Sequence, residues 1–476
     1  MMNTVIIWIA IPIAISLILM VLQRFAKAST IIVLVSSAVL SALAFFMPED
    51  LIIKLGSRQF IFADAFPIFG RVISITKANL TLVAGLYVAV FLWNTVARSL
   101  KTSQWFNALS MLIAAMWVLA LAVQPFLYAA VIFLLIAILS IPLLSPRGSK
   151  AGPGVIRYIT FQTIAMPMVL LSAWMLSDIE TAPSANALIL RAAVLVLISF
   201  AIWFALIPVH TWLPMVAQES HPWTVSFLLV LMQSSLTIFF VYFLEDYAWL
   251  RNLPELWNIL RWAGIVMIVS SSVLLSFQNR IRRVLAYTYL WEMGYALLSI
   301  GLAQQGGLNY LQIIFMPRLL GLAGFAYSLS KLEQVEPDFD GKIHSMTGFY
   351  HRYPTLSICL VMSLLSLAGL PILASFPAKH YIMNLLPWSG YAMETWLSIG
   401  FAGLLIIIFR MIFQLISPVP DSTQVFSMRA NTENLPIIVF SSILLFLMLI
   451  TGLFPGLFSE LFKGILAPFE KIFILS

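Results

Sequence analysis

The stretch "FALIPVHTWLPMVAQESHPWTVS", residues 204–226, interrupts a strongly apolar sequence with three prolines, two histidines and a glutamate. Proline removes a backbone hydrogen-bond donor, and its ring clashes with the preceding turn of a helix. Pro208 and Pro214 therefore predict a break at the end of an apolar helix. The environment of that helix decides which kind of protein can contain such a break.

The whole chain is far more apolar than a soluble protein. Of its 476 residues, 62% are hydrophobic and 9% are charged, whereas about 25% of residues are charged in an average soluble domain. A helix needs about 20 apolar residues to cross a bilayer. We therefore predict an all-α polytopic membrane protein. Its fourteen expected transmembrane spans lie near residues 3–23, 28–47, 78–97, 104–122, 125–145, 155–177, 186–208, 223–244, 256–277, 283–303, 308–331, 354–376, 391–417 and 434–456.

A second break repeats the first one. Pro371, with Pro377 behind it, interrupts the twelfth predicted span as Pro208 interrupts the seventh. Backbone groups freed at membrane depth are tolerated only where protein or water satisfies them. Two proline-interrupted spans in corresponding positions are typical of inverted-repeat transporters, which bind ions at the breaks. The alternative is that the prolines only kink their helices.

The distribution of positive charge predicts the orientation in the membrane. By the positive-inside rule, the connections rich in lysine and arginine are cytoplasmic, which places both termini on the outer side of a cell membrane. The first span lacks a small-residue cleavage site, so we expect a retained anchor. In the connection 48–77, the alternation of "RQFIFADAF" predicts an extracellular hairpin. The cytoplasmic set comprises Arg24, Lys27, Arg98, Lys101, Arg147, Lys150, Arg280, Arg282, Arg283, Lys331, Lys342 and Arg352.

Several classes of chemistry have no counterpart in the sequence. The chain has one cysteine, Cys359, and five histidines that show no metal-ligand spacing. It also contains no glycine-rich motif that would cradle a nucleotide. We therefore expect no cofactor, no metal and no catalytic centre in this chain. The composition predicts the lipid bilayer as a partner and does not predict a nucleic acid.

Lys379 follows the second break at a depth where a charged side chain is costly. An intramembrane lysine costs about 2.5 kcal/mol or more at the centre of a helix, so such a residue is a functional candidate. The alternative is a lysine whose ammonium group snorkels to the lipid headgroups.

Three regions together resemble the signature of one family. They are "PVHTWLP" at 208–214 with "HPWTVS" at 221–226, "RIRRVLAYTYLWEMGYALLSIG" at 280–301, and "SLAGLPILASFPAK" at 366–379. They are similar, in sequence and in order, to the antiporter-like, proton-translocating subunits of respiratory complex I, a family shared with Mrp-type cation/proton antiporters and membrane-bound hydrogenases. The resemblance covers roughly residues 70–420. It implies that the partners are other membrane subunits of a large complex.

The resemblance also implies an internal organisation. Two inverted five-helix repeats, spans 4–8 and 9–13, would each contain one proline-broken helix and contribute part of a proton path. The expected divisions are an N-terminal three-helix segment with the hairpin, the first repeat, the second repeat, and a last span with a short amphipathic tail. Their boundaries are 1–100, 104–246, 256–417 and 434–476.

The family's row of buried charged residues is depleted in the first repeat. The resemblance implies a lysine five residues before the equivalent of Pro208, where this chain has Trp203. It implies a second lysine in the following span, where this chain has Ser235. The acid expected in the fifth span has no counterpart. The first half-channel is therefore expected to lack titratable groups.

The second repeat keeps charged residues, although they are altered. Lys379 falls on the family's terminal lysine or glutamate position, Arg318 replaces a histidine or lysine, and Glu292 replaces an uncharged residue or histidine. Arginine stays protonated, so Arg318 cannot relay protons. It could supply a fixed positive charge that makes Lys379 easier to deprotonate, or it could pair with Glu292. The alternative is a purely structural ion pair.

His210 is the titratable residue of the first break. Histidine can gain and lose a proton near neutral pH, and the family has a histidine after this proline. The expected proton-pathway residues are therefore Lys379, Arg318, Glu292 and His210. The alternative for His210 is a capping role, in which the ring satisfies carbonyls freed by the prolines.

Three functions remain open at this point. The first is a proton-translocating membrane subunit of a redox or cation/proton antiporter complex, in which the second half-channel is retained. The second is a non-conducting scaffold subunit of such a complex, which Trp203 and Ser235 favour. The third is an independent solute carrier, for which the sequence shows no substrate-sized cluster of polar residues.

Overall fold

A computed structural model of the chain shows a predominantly helical protein. It describes residues 2–3, 6–46, 52–55, 58–63, 65–68, 71–75, 77–145, 151–177, 186–386, 391–418, 433–466 and 469. Long apolar runs become helices because a helix satisfies its own backbone groups, as a bilayer requires.

Nineteen α-helices are found within the described residues. They are α1 (Ile11–Val21), α2 (Ala26–Phe46), α3 (Lys77–Ala97), α4 (Phe106–Ala122), α5 (Ala129–Leu144), α6 (Pro153–Ser177), α7 (Asn186–Trp203), α8 (Trp212–Glu219), α9 (Pro222–Asp246), α10 (Ala248–Arg251), α11 (Pro254–Ser276), α12 (Ile281–Gly301), α13 (Asn309–Val335), α14 (Phe349–Arg352), α15 (Pro354–Ala368), α16 (Phe376–Leu385), α17 (Tyr391–Ile416), α18 (Leu435–Leu453) and α19 (Pro455–Phe462). Short 3-10 turns cover 22–24, 126–128, 209–211, 303–305, 343–346 and 463–466, and a π-helical turn covers 6–10.

The chain divides into two compact units. The first consists of residues 1–220, 227–256 and 461–476, and the second consists of residues 221–226 and 257–460. Each unit contains one broken helix. The first has α7 followed by α8, and the second has α15 followed by α16.

Short strands occur mainly between α2 and α3, where the sequence predicts a hairpin. β2 (Ile52–Leu55) pairs with β3 (Arg58–Ala63) in antiparallel register, and β1 (Met2–Asn3) adds to β3. A second sheet consists of β4 (Ala65–Ile68), β5 (Arg71–Ser74) and β6 (Val123–Gln124). These strands cover few residues, so helix dominates the fold.

Helices occupy all fourteen of the predicted spans, but they differ in length. Within the described residues, nine helices are long and apolar enough to cross a membrane by length and composition. Four more are apolar but shorter, at 106–122, 129–144, 188–203 and 354–368. Two of these four, α7 and α15, are short because they end at the breaks. The chain is therefore a multi-pass membrane protein.

The breaks have similar backbone geometry. α7 ends at Trp203 and α15 ends at Ala368, each before its proline. The residue before a proline is driven away from helical backbone angles, so the helix ends early. Each break also holds a non-glycine residue with positive φ, Ala205 at 54° and Ile372 at 75°. Such conformations are sparse for residues with a side chain, so the surrounding structure must hold both turns in place.

Glu219 fixes the end of the first broken helix. Its carboxylate accepts hydrogen bonds from the backbone N–H of Gly154, at 2.8 Å and 3.0 Å. Gly154 lies in the first turn of α6, where N–H groups have no partner within the helix. An acidic side chain is favourable there because of the helix dipole. Glu219 thus ties α8 to α6.

Candidate functional site

The second break frees a backbone carbonyl inside the second unit. In an uninterrupted helix, the carbonyl of Leu367 would accept a hydrogen bond from the residue four positions later, which is Pro371. Proline has no N–H to donate. The Nζ atom of Lys379, in the first turn of α16, donates to the Leu367 carbonyl instead. The break therefore leaves the Leu367 carbonyl without a helical donor, and Lys379 donates a hydrogen bond to it.

Lys379 also forms a buried ion pair. Its Nζ atom lies 2.6 Å from Oε1 of Glu292 on α12. The Lys379 residue is 5% exposed and Glu292 is 0% exposed. The same Nζ atom lies 3.7 Å from the centroid of the Trp291 ring and 5.1 Å from that of Tyr295. An aromatic face attracts a cation, so these rings stabilise the charged form of the lysine.

Arg318 on α13 faces the other oxygen of the same carboxylate. Its Nε atom lies 3.9 Å from Oε2 of Glu292, and the residue is 2% exposed. That distance is an ion-pair distance but too long for a hydrogen bond. Among the residues that the structure describes, neither Glu292 Oε2 nor Arg318 Nε and Nη2 has a hydrogen-bond partner. Glu292 is thus placed between two cations, only one of which it bonds directly.

A glycine makes room for the lysine side chain. Gly369 caps α15 with φ at 82°, a left-handed conformation that favours glycine. A Cβ atom at this position would lie 2.6 Å from Cδ of Lys379. The aliphatic part of Lys379 therefore passes directly over the end of α15. Any other residue at 369 would displace it.

Tyr381 fastens α16 close to the lysine. Its hydroxyl donates to the carbonyl of Gly306 at 2.9 Å and accepts from Nδ2 of Asn309 at 3.0 Å. Gly306 lies in the turn between α12 and α13. These are the helices that carry Glu292 and Arg318. Tyr381 therefore fixes the position of α16 relative to both partners of Lys379.

The first break contains no comparable ion pair among the described residues. Pro208 lies in the turn after α7, and Pro214 lies inside α8. His210, in the 3-10 turn between them, is half-buried, and its ring forms a hydrogen bond with the Pro208 carbonyl. That contact is the one that a capping histidine makes. Of the other two hinge prolines, Pro371 lies in the second break and Pro377 in the first turn of α16.

Aromatic side chains occupy the space around Trp203. Trp203 is 1% exposed. The centroid of its ring lies 5.0 Å from that of Phe133 and 5.4 Å from that of Phe200, and both pairs are edge-to-face. Phe239 lies 6.3 Å from Trp203 and 4.8 Å from Phe133. We call Phe133, Phe200, Trp203 and Phe239 the aromatic cluster. It is a packed apolar core without a titratable member.

Ser235 is buried in the same unit. It is 0% exposed, and its hydroxyl has no hydrogen-bond partner within the described part of the chain. A serine hydroxyl does not ionise in the working pH range, unlike the lysine that the resemblance implies here. Neither of the two lysines that the resemblance implies is therefore present at the first break.

The sequence identifies only part of this site. The three charged residues Lys379, Glu292 and Arg318 were all predicted, and the structure brings them together. The Leu367 carbonyl, the Trp291 ring, Gly369 and Tyr381 were not predicted. The proline four residues after Leu367 is a signal that could have identified the freed carbonyl. The hydroxyl of Tyr381 has no such signal, because its partners are far away in the sequence.

Comparison with known proteins identifies a matching family model and similar relatives. The family model described as NADH:quinone oxidoreductase/Mrp antiporter, TM, matches residues 176–409. The NADH-quinone oxidoreductase subunit N of Bdellovibrio bacteriovorus is 26% identical over 205 residues, 42% of each chain. The subunit N 2 of Acidobacterium capsulatum is 25% identical over 291 residues, 57% of this chain and 58% of the relative. The matched regions thus span about half the length of these curated relatives.

Solved structures share the fold along nearly the whole chain. A chain of the archaeal membrane-bound sulfane sulfur reductase complex superposes with a TM-score of 0.80 at 15% identity, and 99% of each chain is covered. A chain of the Mrp complex from Dietzia sp. has a TM-score of 0.74 at 15% identity, over 99% of this chain and 98% of that one. A chain of respiratory complex I from Thermus thermophilus has a TM-score of 0.71 at 19% identity, over 99% and 100%. At these identities, the likeness concerns the fold alone.

The family match includes both breaks, the Lys379–Glu292 pair and the aromatic cluster except Phe133. It confirms the resemblance that the three sequence motifs indicated. Residues 176–409, just under half of the chain, are similar to the transmembrane region that this family model describes.

Proposed function

We propose that this chain is an antiporter-like membrane subunit of a large multisubunit complex and that Lys379 is its proton carrier. The observation that carries the proposal is the buried Lys379–Glu292 pair at the second helix break. Ionisable groups inside a membrane are costly and usually serve ion transport. The relatives are named as subunits of NADH-quinone oxidoreductase, and the structures with the same fold come from respiratory and Mrp complexes. Other membrane subunits are therefore the proposed partners and supply the driving force.

The charge of the site explains how the proton could leave. With all three groups ionised, Lys379, Glu292 and Arg318 together carry one net positive charge. Burial of a net charge is unfavourable because desolvation is not fully compensated. Loss of the Lys379 proton leaves a neutral pair, Arg318 with Glu292. The permanently charged Arg318 thus supports release from Lys379, the first of the two roles left open for it.

The pair also explains how the proton could be retained. Glu292, the freed Leu367 carbonyl and the Trp291 ring all stabilise the ammonium form of Lys379. Groups that favour retention of the proton and a group that favours its release, Arg318, therefore lie within one small site. A modest change in a neighbouring charge would shift the balance, since about 1.4 kcal/mol corresponds to one pKa unit. Partner subunits could supply such a change.

The proposal includes the finer architecture that the sequence predicts. We infer fourteen spans with both termini on the outer side of a cell membrane, and two inverted repeats at 104–246 and 256–417. In each proposed repeat the fourth of five helical elements is broken, α7 with α8 and α15 with α16. The similar positive-φ residues in the two breaks support the same division.

His210 is retained as a proposed member of the path with a secondary role. Its hydrogen bond to the Pro208 carbonyl supports capping of the broken helix. The aromatic cluster next to this break favours a first repeat that does not conduct protons. The half-channel formed by the second repeat is therefore the proposed route.

A scaffold function is the second candidate, and one observation favours it. Trp203, within the aromatic cluster, and Ser235 occupy the two positions where the resemblance implies lysines. In a scaffold, the Lys379–Glu292 pair would serve only to hold α16 against α12. Replacement of Lys379 by alanine in the assembled complex separates the two candidates, because only a carrier loses proton translocation. Purification as a lone monomer, without large partner subunits, would instead favour an independent solute carrier.

A further inference from the structure

A second polar site lies at the basic end of the second unit, away from Lys379. Asn279, Ile343, His344, Arg410, Phe413 and Gln414 line a cavity of about 210 Å³. It lies between the end of α11, the 3-10 turn at 343–346 and the last turns of α17. A water molecule takes about 30 Å³ in the liquid, so the cavity has room for a group of several heavy atoms.

Backbone pairing builds one wall of this cavity. Ile343 N–H donates to the Asn279 carbonyl at 2.8 Å, and Ile281 N–H donates to the Gly341 carbonyl at 3.0 Å. Arg280 and Lys342 face each other across this short bridge. Asp340 accepts from the backbone N–H of Lys342 at 2.9 Å and from the Ser345 hydroxyl at 2.6 Å. The wall is therefore a defined turn.

Arg410 forms the opposite wall and is the cation of the site. Its Nη2 atom lies 2.9 Å from Oδ1 of Asn279, and Nη1 donates to the Ser276 carbonyl. An arginine has five N–H donors, so these contacts orient the guanidinium and leave further N–H groups for a ligand. The residues that line the cavity include no acid. The lining thus offers positive charge and donors.

The net charge around the cavity is positive. Arg280, Arg282, Arg283, Lys342 and Arg410 lie within a few residues of the lining or belong to it, and two of these five residues pair with acids. Glu333 pairs with Arg282 at 2.6 Å, and Asp340 pairs with Lys342 at 2.8 Å. The other three, Arg280, Arg283 and Arg410, are in no ion pair with the described residues. By the positive-inside rule, this end of the unit faces the cytoplasm.

The outer wall of the cavity is apolar and exposed. Phe413 lines the cavity and is 74% exposed, and its neighbour one turn earlier, Phe409, is 64% exposed. Phe277, at the end of α11, is 76% exposed. On α17, Arg410 and Gln414 therefore form a polar stripe directly beside the apolar stripe of Phe409 and Phe413. A phospholipid would place its headgroup on the polar stripe and its acyl chains on the apolar stripe.

We propose that this cavity binds the headgroup of an anionic phospholipid of the cytoplasmic leaflet. The phosphodiester would lie against Arg410 with His344 and Asn279 beside it, and the acyl chains would run along Phe409 and Phe413. Basic pockets between membrane helices on the cytoplasmic side bind such headgroups. The site is separate from proton transfer and does not depend on the role of Lys379.

The test compares lipids on the purified full-length chain. Native mass spectrometry after titration with phosphatidylglycerol or phosphatidylcholine should show one phosphatidylglycerol retained preferentially. Arg410→Gln should weaken this retention about fivefold, since a basic residue near the headgroups contributes about 1 kcal/mol. Arg261→Gln is the matched control, because Arg261 also donates to a backbone carbonyl, that of Gly301 at 2.8 Å.

Further variants separate binding from folding. Arg410→Lys keeps the charge and should retain phosphatidylglycerol better than Arg410→Gln at equal melting temperature. Equal retention of the two lipids, or undiminished retention by Arg410→Gln, would overturn the proposal. Displacement of the lipid by millimolar inorganic phosphate would also overturn it, because the site would then belong to free phosphate.

Discussion

The Nζ atom of Lys379 lies 2.6 Å from Oε1 of Glu292, and both side chains are buried. The two residues are 87 positions apart in the sequence and come from α16 and α12. Arg318 approaches the second carboxylate oxygen to 3.9 Å without a hydrogen bond. This geometry gives one lysine a fixed acid and a fixed cation as neighbours.

Glu292→Gln should destabilise the protein and impair translocation. The substitution leaves Lys379 and Arg318 as two buried cations without a counter-charge. Removal of one partner from a buried ion pair costs about 3–5 kcal/mol. Thermal unfolding in detergent measures the loss of stability, and proton transport by the reconstituted complex measures the functional effect.

The double variant Glu292→Gln with Lys379→Met serves as the test of that explanation. It removes both charges of the pair, so it should regain part of the lost stability and remain inactive in transport. Glu433→Gln is a control for loss of a buried acid, because Glu433 accepts from the backbone N–H groups of Thr355 and Leu356 instead of a cation. A double variant less stable than Glu292→Gln would refute the charge argument.

Gly369→Ala should displace Lys379 without removing any charge. The added Cβ would lie 2.6 Å from Cδ of the lysine, so the lysine side chain must leave the position in which it bonds Glu292. We expect a large loss of proton transport. Gly341→Ala is matched to it, because Gly341 also has positive φ, 74°, but nothing lies within 4 Å of the new Cβ.

Both substitutions place an alanine in the left-handed backbone conformation, which costs about 1–2 kcal/mol per residue. Only Gly369→Ala should affect transport by the reconstituted complex. Equal transport by both variants would mean that the close approach at Gly369 has no role in positioning Lys379.

Tyr381→Phe should loosen the attachment of α16. It removes the hydroxyl that bonds the Gly306 carbonyl and Asn309, and a hydrogen bond contributes about 1 kcal/mol to stability. We expect a small decrease in melting temperature together with reduced proton transport. Tyr350→Phe, at an exposed tyrosine, is the control. A decrease in stability without any change in transport would limit Tyr381 to a structural role.

Trp203→Ala should affect stability and not transport. Truncation of a buried tryptophan costs about 3–5 kcal/mol because a cavity remains, whereas Trp203→Phe keeps an aromatic ring in the cluster and should cost less. Transport per correctly assembled complex should be unchanged in both variants. Loss of transport by Trp203→Phe, in a complex that assembles normally, would show that protons pass through the region of the aromatic cluster.

The breaks and Lys379 are predicted from local chemistry, whereas Arg318 and Glu292 are predicted from the family resemblance. Pro208 and Pro371 end helices wherever they lie, and a lysine in an apolar stretch is conspicuous. The ends of α7 and α15 lie further upstream than the predicted spans, because the chain leaves the helix before each proline is reached. This early exit could not be read from hydropathy alone.

Other features depend on tertiary structure and could not be predicted. Trp203 is recognisable as the replacement of a lysine, but the aromatic cluster requires Phe133 and Phe239 to come from two other helices. Tyr381 has the same difficulty, because Gly306 and Asn309 are more than 70 positions away. Short-range patterns and the family resemblance thus identify the groups that carry charge, while the groups that hold them in place emerge only from the fold.

The most direct measurement is proton translocation by the complete complex in sealed vesicles with Lys379 replaced by alanine. Lys331→Ala is the control, because Lys331 is also a buried lysine, 8% exposed, but pairs with Gln334 on its own helix. If Lys379 is the proton carrier, Lys379→Ala abolishes the translocation that this subunit contributes while the complex still assembles, and Lys331→Ala does not. Normal assembly with unchanged translocation in Lys379→Ala would contradict the account and identify the chain as a scaffold.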